Sequence, residues 1–275
     1  MYGASPSVKY ALIDHHTDFS QRKRYFTLYD EGCLLDEEGW YSVTPELIAN
    51  QIAERCRCDT ILDAFCGVGG NAIAFAKTCE HGMHVLNLFR PRLTRIPLKV
   101  IALDVSPVRL ALARHNAVIY GVADRIEFIL ADYIAFAHAY ASRPAGKRSI
   151  DVVFLSPPWG GPDYISQGNS DIELVGEETG ASPEHHPEFS LAHMKPIHGA
   201  DLFHLTRRIT RNVAYYVPRN ASLDEISALL ANTAPSSLNQ DSAEMVEVEE
   251  EWMGTKLKAL TCYFGGLADN QQHLF

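Results

Sequence analysis

The sequence lacks several features that would each point to a particular class of protein. No stretch of its 275 residues approaches the roughly 20 consecutive apolar residues of a membrane-spanning helix, and the N-terminal segment MYGASPSVKYALIDHH lacks the charged start and apolar core of a signal peptide. The six cysteines show neither the paired CxxC spacing of a zinc ribbon nor the density of a secreted disulfide scaffold. These absences predict a soluble, intracellular protein with reduced thiols.

One group of residues offers potential metal ligands. Cys79, His81 and His84 could supply three ligands to zinc, but no fourth ligand lies nearby in the sequence. A helix end that runs into a loop explains the group equally well. The sequence therefore predicts no metal site.

The chain also lacks the basic excess of proteins that coat long nucleic acids, because its formal net charge is −10. The negative charge is concentrated in residues 166–199 and 241–251, which carry −5 and −6, so the remaining residues carry +1. Basic residues gather at Arg22, Lys23 and Arg24, and again at Arg207, Arg208, Arg211 and Arg219. Two such groups can contact a few phosphates, which favours a short or single-nucleotide target.

Short apolar runs alternate with amphipathic helical stretches from residue 60 onward, a pattern typical of a parallel sheet built from strand-helix units. Two closely spaced runs near the C-terminus, separated by a turn at Gly254, predict an antiparallel hairpin. The predicted strands are residues 60–63, 99–104, 126–130, 150–155 and 212–217, with the hairpin at 245–249 and 256–264. The sequence thus predicts an α/β fold whose parallel sheet ends in a hairpin.

The first 40 or so residues show helical periodicity and predict a small helical N-terminal lobe. A helix is then predicted after Ser42, with Thr44 as its N-cap and Pro45 at its first position.

A glycine turn follows the first predicted strand in the segment Asp63-Ala-Phe-Cys-Gly67-Val-Gly69-Gly70-Asn71. Glycines let the backbone approach a ligand closely, and the N-terminus of the next helix supplies free N–H donors for a carboxylate. The same pattern can serve a dinucleotide. Against that alternative, the next strand-end acid, Asp104, comes 41 residues after Asp63 instead of about 20. A loop inserted at 81–98 explains the longer spacing.

Three aspartates, Asp63, Asp104 and Asp132, follow three consecutive predicted strands. Asp104 is placed to accept hydrogen bonds from two ribose hydroxyls, and Asp132 from an adenine amine. A single aspartate at a strand end is more often a cap or turn residue. Three of them in register, the first before a glycine turn, predict an adenosyl ligand.

The segment Ser156-Pro-Pro-Trp-Gly-Gly-Pro-Asp-Tyr164 follows the fourth predicted strand. Its two consecutive prolines fix the backbone, and Trp159 presents a large flat face. The carbonyl group and the serine oxygen can accept hydrogen bonds from an exocyclic NH2 group, which turns its lone pair toward a methyl donor. The segment predicts a site for a planar amine; the alternative is a rigid loop with a core tryptophan.

Five stretches of the chain resemble the trimethylguanosine synthase family, whose members add two methyl groups to the guanine amine of a 7-methylguanosine RNA cap. They are EGWYSVTPE (38–46), DAFCGVGGN (63–71), SPPWGGPDY (156–164), VPRN (217–220) and the run from KLK to YFG (256–265). The resemblance implies a class I methyltransferase (Rossmann-like) domain at residues 42–275 and a lobe at residues 1–41 that contributes to the cap site. It also implies S-adenosyl-L-methionine as cofactor and S-adenosyl-L-homocysteine as product.

The resemblance further implies roles for individual residues. Cofactor contacts are expected at Thr44, Asp63, Gly67, Gly69, Asp104, Val105, Asp132 and Tyr133. Ser156, Pro157 and Trp159 are the expected catalytic group, since the first two orient the amine and Trp159 stacks on the cap base. Ser42 is expected on the other side of the base, and Tyr164, Arg219, Lys23 and Arg24 at the cap phosphates.

A 7-methylguanosine-capped RNA is therefore the expected partner of a monomeric enzyme, with small ribonucleoprotein proteins left open as further partners. We expect no membrane association and a location in the nucleus, in the nucleolus or nuclear bodies, and leave the cytoplasm open. Two alternatives stay open. An amine methyltransferase acting on an internal adenine or guanine usually has Asn or Asp where this chain has Ser156. A noncatalytic cap-binding module would not need the intact glycine and aspartate set.

Overall fold

A seven-stranded mixed sheet organises the chain in the computed structural model, which describes residues 19–86, 99–160, 188–231 and 244–268. The strand order is β3-β2-β1-β4-β5-β7-β6; β1 to β5 pair in parallel, and β7 is antiparallel to both of its neighbours. The strands are β1 (Thr60–Asp63), β2 (Lys99–Asp104), β3 (Ile126–Leu130), β4 (Val152–Leu155), β5 (Val213–Pro218), β6 (Val246–Met253) and β7 (Lys256–Phe264).

Helices cover both faces of the sheet, and each face has its own hydrophobic cluster. Helices α3, α4 and α5 pack on one face, and α6, α7 and α8 pack on the other. The helices are α1 (Arg22–Tyr25), α2 (Glu37–Ser42), α3 (Glu46–Arg55), α4 (Gly70–Leu86), α5 (Pro107–Ile119), α6 (Tyr133–Ala141), α7 (Gly199–Arg207) and α8 (Leu223–Ala231). Within the described ranges, none of them has the length and apolar character to cross a membrane.

The predicted α/β fold, with its parallel strands and C-terminal hairpin, is confirmed. Strands β1, β2 and β3 have the predicted bounds, while β4 and β5 begin two residues and one residue later than predicted. The hairpin turns at Gly254, whose φ of 62° is in the left-handed region that favours glycine. The carboxyl ends of the parallel strands therefore form one edge, which we call the crevice edge.

The start of helix α3 differs from the prediction by one residue. Pro45 occupies the N-cap position and Glu46 begins the helix, so the prediction that Thr44 is the N-cap was wrong. The buried Thr44 hydroxyl instead accepts a hydrogen bond of 2.9 Å from Nδ2 of Asn71. Thr44 therefore bonds to a residue distant in sequence and does not cap α3.

The N-terminal segment shares its interior with the sheet. Phe26 and Cys33 belong to the hydrophobic cluster that contains α3, α4 and α5. Glu46 at the start of α3 accepts hydrogen bonds from Lys77 and from the Tyr120 hydroxyl, both at 2.7 Å. Residues 19–42, which we call the N-terminal lobe, therefore lie directly against the helices that flank the glycine turn.

Candidate active site

The glycine turn connects β1 to α4 at the crevice edge. Gly67 and Gly69 have φ values of 52° and 93°, which L-residues rarely adopt. A Cβ on Gly67 would meet no atom within 4 Å, so the turn leaves open space there. A Cβ on Gly69 would lie 3.0 Å from Cβ of Ala113, so this glycine permits close packing of α5. One glycine thus leaves room for a ligand and the other fixes the turn.

Asp104, the last residue of β2, holds the turn in place. Its Oδ2 accepts a hydrogen bond of 3.0 Å from the Gly67 N–H, and its Oδ1 accepts one of 2.7 Å from the Ser106 N–H. An ionised carboxylate has about four lone-pair sites, so Asp104 keeps acceptor capacity for a ligand. The next residue, Val105, exposes 65% of its surface. Ser106 caps α5 by accepting a hydrogen bond from the Arg109 N–H.

Asp63 lies beneath the turn and is fully buried. Neither of its carboxylate oxygens has a side-chain hydrogen-bonding partner among the described residues. Burial raises the pKa of Asp63 to about 7; the nearby N–H groups of Phe65 and Ala72 offset part of this rise, and the charge of Asp104 adds to it. Because Asp63 is covered, it can influence a ligand through its charge, while the backbone at Gly67 and the side chain of Val105 are open.

Asp132 and Tyr133 start helix α6 after β3. Oδ1 of Asp132 caps the helix by accepting a hydrogen bond of 2.8 Å from the Ala135 N–H, and its side chain remains exposed. The Tyr133 side chain turns into the core, where its hydroxyl lies 2.7 Å from Oγ1 of Thr206. The expected cofactor contact of Tyr133 cannot involve this buried ring, which leaves its backbone amide.

The loop after β4, residues 156–160, lies against the glycine-turn region. The Ser156 hydroxyl is 3.4 Å from the carbonyl oxygen of Phe65, to which it donates a hydrogen bond. Pro157 is buried, and the Pro158 carbonyl accepts a hydrogen bond of 3.2 Å from the Lys195 N–H. The two sequence motifs, predicted separately, thus meet at the crevice edge.

Trp159 packs against the core, which is the feature that the alternative interpretation of this segment predicted. Its ring lies 5.3 Å from that of Tyr216 at an angle of 33°, and it packs against both hydrophobic clusters. We therefore expect the Trp159 side chain to support the fold as well, because β5 places Tyr216 beside it. Trp159 is only half-buried, so part of its surface remains available to a ligand.

The N-terminal lobe contributes Ser42 at the end of α2. The Ser42 hydroxyl is exposed and donates a hydrogen bond of 2.9 Å to the carbonyl oxygen of Glu38. The next residue, Val43, is so close to the glycine turn that a Cβ on Gly70 would lie 2.9 Å from its Cγ2. Ser42 is therefore held at the border between the lobe and the turn.

The basic residues expected at phosphates differ in how far their charge is already balanced. Lys23 forms an ion pair of 2.8 Å with Asp30, and its hydrogen bond is the main reason that the pKa of Asp30 is lowered. Arg24 donates a hydrogen bond of 3.1 Å to Gln21. Arg219 directly follows β5 and forms no ion pair with any residue that the structure describes. Among the described residues, Arg24 and Arg219 are therefore the two of these basic residues whose charge is not balanced by an acid.

Sequence reasoning missed two asparagines in this region. Asn71 bonds to Thr44, and Asn116 is fully buried in α5. Asn116 follows Leu110 and Ala113 at spacings of six and three residues, which places it on the apolar face of the helix. A polar residue on that face was the signal that could have identified it.

Some predicted features lie outside the described residues. Tyr164 is one of them, as are the side chains of Cys79, His81 and His84 and the inserted loop that follows them.

The chain is similar to several known proteins. Residues 58–267 match the family model described as RNA cap guanine-N2 methyltransferase. Trimethylguanosine synthase of Schizosaccharomyces pombe is 33% identical over 215 residues, which cover 76% of this chain and 73% of that protein. Trimethylguanosine synthase of Saccharomyces cerevisiae is 28% identical over 215 residues, which cover 76% of this chain and 56% of that protein. Among solved structures, an O-methyltransferase from Streptomyces achromogenes superimposes with a TM-score of 0.47 at 13% identity, covering 92% of both chains.

Proposed function

The chain belongs to the RNA cap guanine-N2 methyltransferase family, and we propose that it adds two methyl groups to the exocyclic amine of 7-methylguanosine caps, giving the 2,2,7-trimethylguanosine cap. It is an S-adenosylmethionine-dependent methyltransferase, and capped RNA is its substrate. The proposal includes small nuclear and nucleolar RNAs as substrates and the nucleus as the compartment. It also includes action as a monomer, with ribonucleoprotein proteins as candidates for further partners.

One observation carries the proposal, namely the contact between the Ser156 hydroxyl and the Phe65 carbonyl. It places the loop suited to a planar amine directly against the turn suited to an adenosyl cofactor. The two substrates of a methyl transfer would therefore meet across this contact, where proximity and orientation supply much of the rate.

The residues around the glycine turn fit S-adenosylmethionine, which supplies an electrophilic methyl group on a sulfonium centre. The open space at Gly67 admits a ligand against the backbone. The buried Asp63 carboxyl, without a side-chain partner among the described residues, suits a ligand that carries positive charge. Asp104 has acceptor capacity for ribose hydroxyls, and the exposed Val105 offers an apolar surface to the adenine ring.

On the acceptor side, the chain's own groups bind and orient the cap. We assign to the oxygen atoms of Ser156 and Pro157 the task of accepting hydrogen bonds from the guanine amine. The 7-methyl group makes the guanine ring cationic, and a cation over an indole gains about 0.5 to 2 kcal/mol, so the open part of Trp159 would favour the methylated cap. Ser42 would lie across the base, and Arg219 would meet the cap phosphates. We assign the proton that the amine loses to solvent water.

Methyl-transfer assays test this proposal. The purified protein, supplied with S-adenosylmethionine, is expected to add two methyl groups to a 7-methylguanosine cap dinucleotide and to leave the unmethylated dinucleotide and an uncapped RNA oligonucleotide unchanged. Mass spectrometry counts the added groups, and Ser156→Ala serves as a variant in which one amine acceptor is missing. Methylation of the uncapped oligonucleotide would favour the internal-base alternative, and cap binding without turnover would favour the noncatalytic module.

A further inference from the structure

Asn116 joins three parts of the molecule through one buried side chain. It is fully buried in α5, although asparagine is a polar residue that is mostly exposed in folded proteins. Its Oδ1 accepts a hydrogen bond of 2.8 Å from the Leu34 N–H. Its Nδ2 donates one of 2.9 Å to the Leu34 carbonyl and another of 3.0 Å to the Val68 carbonyl. Both donor positions of the amide are therefore in use.

The two carbonyls belong to different binding regions. Leu34 lies in the N-terminal lobe just before α2, the helix that ends at Ser42. Val68 lies in the glycine turn between the two left-handed glycines. Displacing either region would leave buried polar groups without partners, at a cost of about 1 to 3 kcal/mol per group. The amide thus links the position of the lobe to the position of the turn.

Close packing makes the link tight. A Cβ on Gly39, in α2, would lie 3.1 Å from Cγ1 of Val68. One turn of chain further, Val43 approaches Gly70 and Thr44 accepts a hydrogen bond from Asn71. Helix α2 of the lobe and the two residues that follow it therefore contact the glycine turn at successive points.

We propose that Asn116 is a positioning residue that couples the two sites, so that cofactor bound at the glycine turn raises the affinity of the lobe for the cap. A ligand that fixes the Val68 carbonyl also fixes the amide and, through it, Leu34 and α2. The inference rests on the proposed function because it takes Ser42 at the end of α2 as part of the cap site. Linkage requires the effect to be mutual, so bound cap raises cofactor affinity by the same factor.

The coupling factor separates this role from a purely structural one. A residue that only stabilises the fold changes the melting temperature and leaves the ratio of cap affinities with and without cofactor unchanged. A coupling residue changes that ratio. S-adenosylhomocysteine is the suitable cofactor-site ligand for the measurement because no methyl transfer can follow.

The experiment measures binding of a 7-methylguanosine cap dinucleotide by calorimetry, with and without saturating S-adenosylhomocysteine. In the unmodified protein the ratio of the two affinities is expected to be about fivefold or more. Asn116→Asp keeps the shape and the acceptor for the Leu34 N–H but sets an oxygen against two carbonyls, and its ratio is expected to fall toward one. Gly39→Ala acts from the lobe side, because its methyl group would lie 2.8 Å from Oδ1 of Asp36, the N-cap of α2, and 3.1 Å from Cγ1 of Val68. Relief of both contacts moves α2 away from the turn, so the same fall is expected.

His115→Ala is the matched control. Nε2 of His115 lies 2.9 Å from the carbonyl oxygen of Gly32, so this variant loses a contact between α5 and the lobe without touching the glycine turn. It is expected to keep the ratio of the unmodified protein. All variants are measured well below their melting temperatures, which circular dichroism determines with and without S-adenosylhomocysteine.

Three results would overturn the inference: an unchanged ratio in both Asn116→Asp and Gly39→Ala, an equal loss in His115→Ala, or a ratio of one in the unmodified protein. Failure of the proposed function looks different, because the unmodified protein would then neither bind nor methylate the cap dinucleotide under any condition. Titrating S-adenosylhomocysteine with and without cap must give the same factor, which provides an internal check.

Discussion

The cofactor turn and the C-terminal hairpin each bury one acidic side chain, and the surroundings of these two acids differ. Burial raises the pKa of Asp63 to about 7, and burial also raises the pKa of Glu251 to about 7. The Asp63 carboxylate has only the backbone N–H groups of Phe65 and Ala72 beside it among the described residues, whereas Oε1 of Glu251 accepts a side-chain hydrogen bond of 2.5 Å from the Thr261 hydroxyl. The neighbouring charges differ as well, since Asp104 raises the pKa of Asp63, whereas Glu251 lies near both Glu249, which raises its pKa, and Arg55, which lowers it.

The comparison shows that a raised pKa alone does not identify a binding site. Both acids are covered by protein, but only Asp63 lies beneath a turn with open space. A cationic ligand that binds in this space can therefore interact electrostatically with the Asp63 carboxylate. Glu251 is buried on β6 and has its hydrogen-bonding partner, Thr261, on the neighbouring strand β7. The partners of a buried acid, together with its pKa, separate a ligand-responsive group from a structural one.

The largest effect is expected at the glycine turn, where Asp104→Ala should weaken cofactor binding. The variant loses the acceptor for the Gly67 N–H and the proposed ribose hydrogen bonds, each worth about 1.5 to 3 kcal/mol when the acceptor is charged. Cofactor affinity should fall at least about tenfold. Calorimetry with S-adenosylhomocysteine measures it, and Asp104→Asn, which keeps one oxygen acceptor, should lose less. An unchanged affinity in Asp104→Ala would mean that the ribose is placed wrongly.

Trp159→Ala should have the next largest effect. Trp159 lies between the glycine turn and the hairpin, because it packs on Tyr216 of β5, the strand that pairs with β7. Base stacking on an aromatic side chain contributes about 1 to 3 kcal/mol, so cap affinity should fall about 5- to 150-fold, with methylation falling in parallel. Loss of the packing on Tyr216 should also lower the melting temperature. Trp159→Phe should keep part of both.

Cap titrations and thermal melts, run together, check this prediction. S-adenosylhomocysteine affinity, measured below the melting temperature, should stay near that of the unmodified protein in both variants. Full methylation by Trp159→Ala would exclude stacking of the cap base on this ring.

A moderate effect is expected from the titration of Asp63. Its raised pKa means that the acid is mostly protonated below about pH 7 in the free protein. A cationic cofactor favours the ionised form, so binding releases a proton below that pH. Cofactor affinity should therefore rise as pH increases toward 7, by at most about tenfold per pH unit, and level off above it.

Calorimetry in buffers of different ionisation enthalpy measures the released proton directly. Asp63→Asn cannot titrate, so its cofactor affinity should lose this pH dependence. The same slope in Asp63→Asn and in the unmodified protein would assign the proton to another group.

Glu251→Gln should have the smallest effect on the reaction and completes the comparison. The folded-state pKa of Glu251 is raised from 4.5 to about 7, so ionisation destabilises the fold increasingly as pH rises from 4.5 to 7, and fully above 7. Glutamine keeps an acceptor for Thr261 and removes this penalty. Chemical denaturation measures the free energy of unfolding of the variant minus that of the unmodified protein. This difference should be about 2 to 3 kcal/mol more favourable at pH 8 than at pH 4.5, with methyl transfer unchanged. A loss of cap methylation would instead place Glu251 in the cap site.

Local sequence patterns were sufficient where local physics decides the structure. Buried strands such as β1 and β2 end at their aspartates because an apolar run gives way to a turn, and the bounds of both were predictable. The cap formed by Ser106 and Pro107 was predictable for the same reason. The order of the motifs along an α/β chain then placed them at one edge of the sheet.

Contacts between distant segments were not predictable from one sequence. Thr44 was assigned to a helix cap because its partner, Asn71, lies 27 residues later. The sequence left open whether Trp159 packs in the core, because its partner Tyr216 lies 57 residues later in the chain. The role of Asn116 was not predicted because its hydrogen-bonding partners, the backbone groups of Leu34 and Val68, belong to two distant segments of the chain.

The Arg55 side chain at the end of α3 has a consequence for the order in which the chain folds. Its guanidinium is nearly inaccessible to solvent and makes hydrogen bonds of 3.1 and 2.8 Å with Glu247, a residue 192 positions later. During synthesis α3 is complete long before that acid leaves the ribosome, and a buried arginine without its acid is strongly unfavourable. The arginine must stay in water until the hairpin arrives. Docking of β6 and β7 is then the late step of folding, and a ribosome stalled before the hairpin would hold a chain that protease digests at α3.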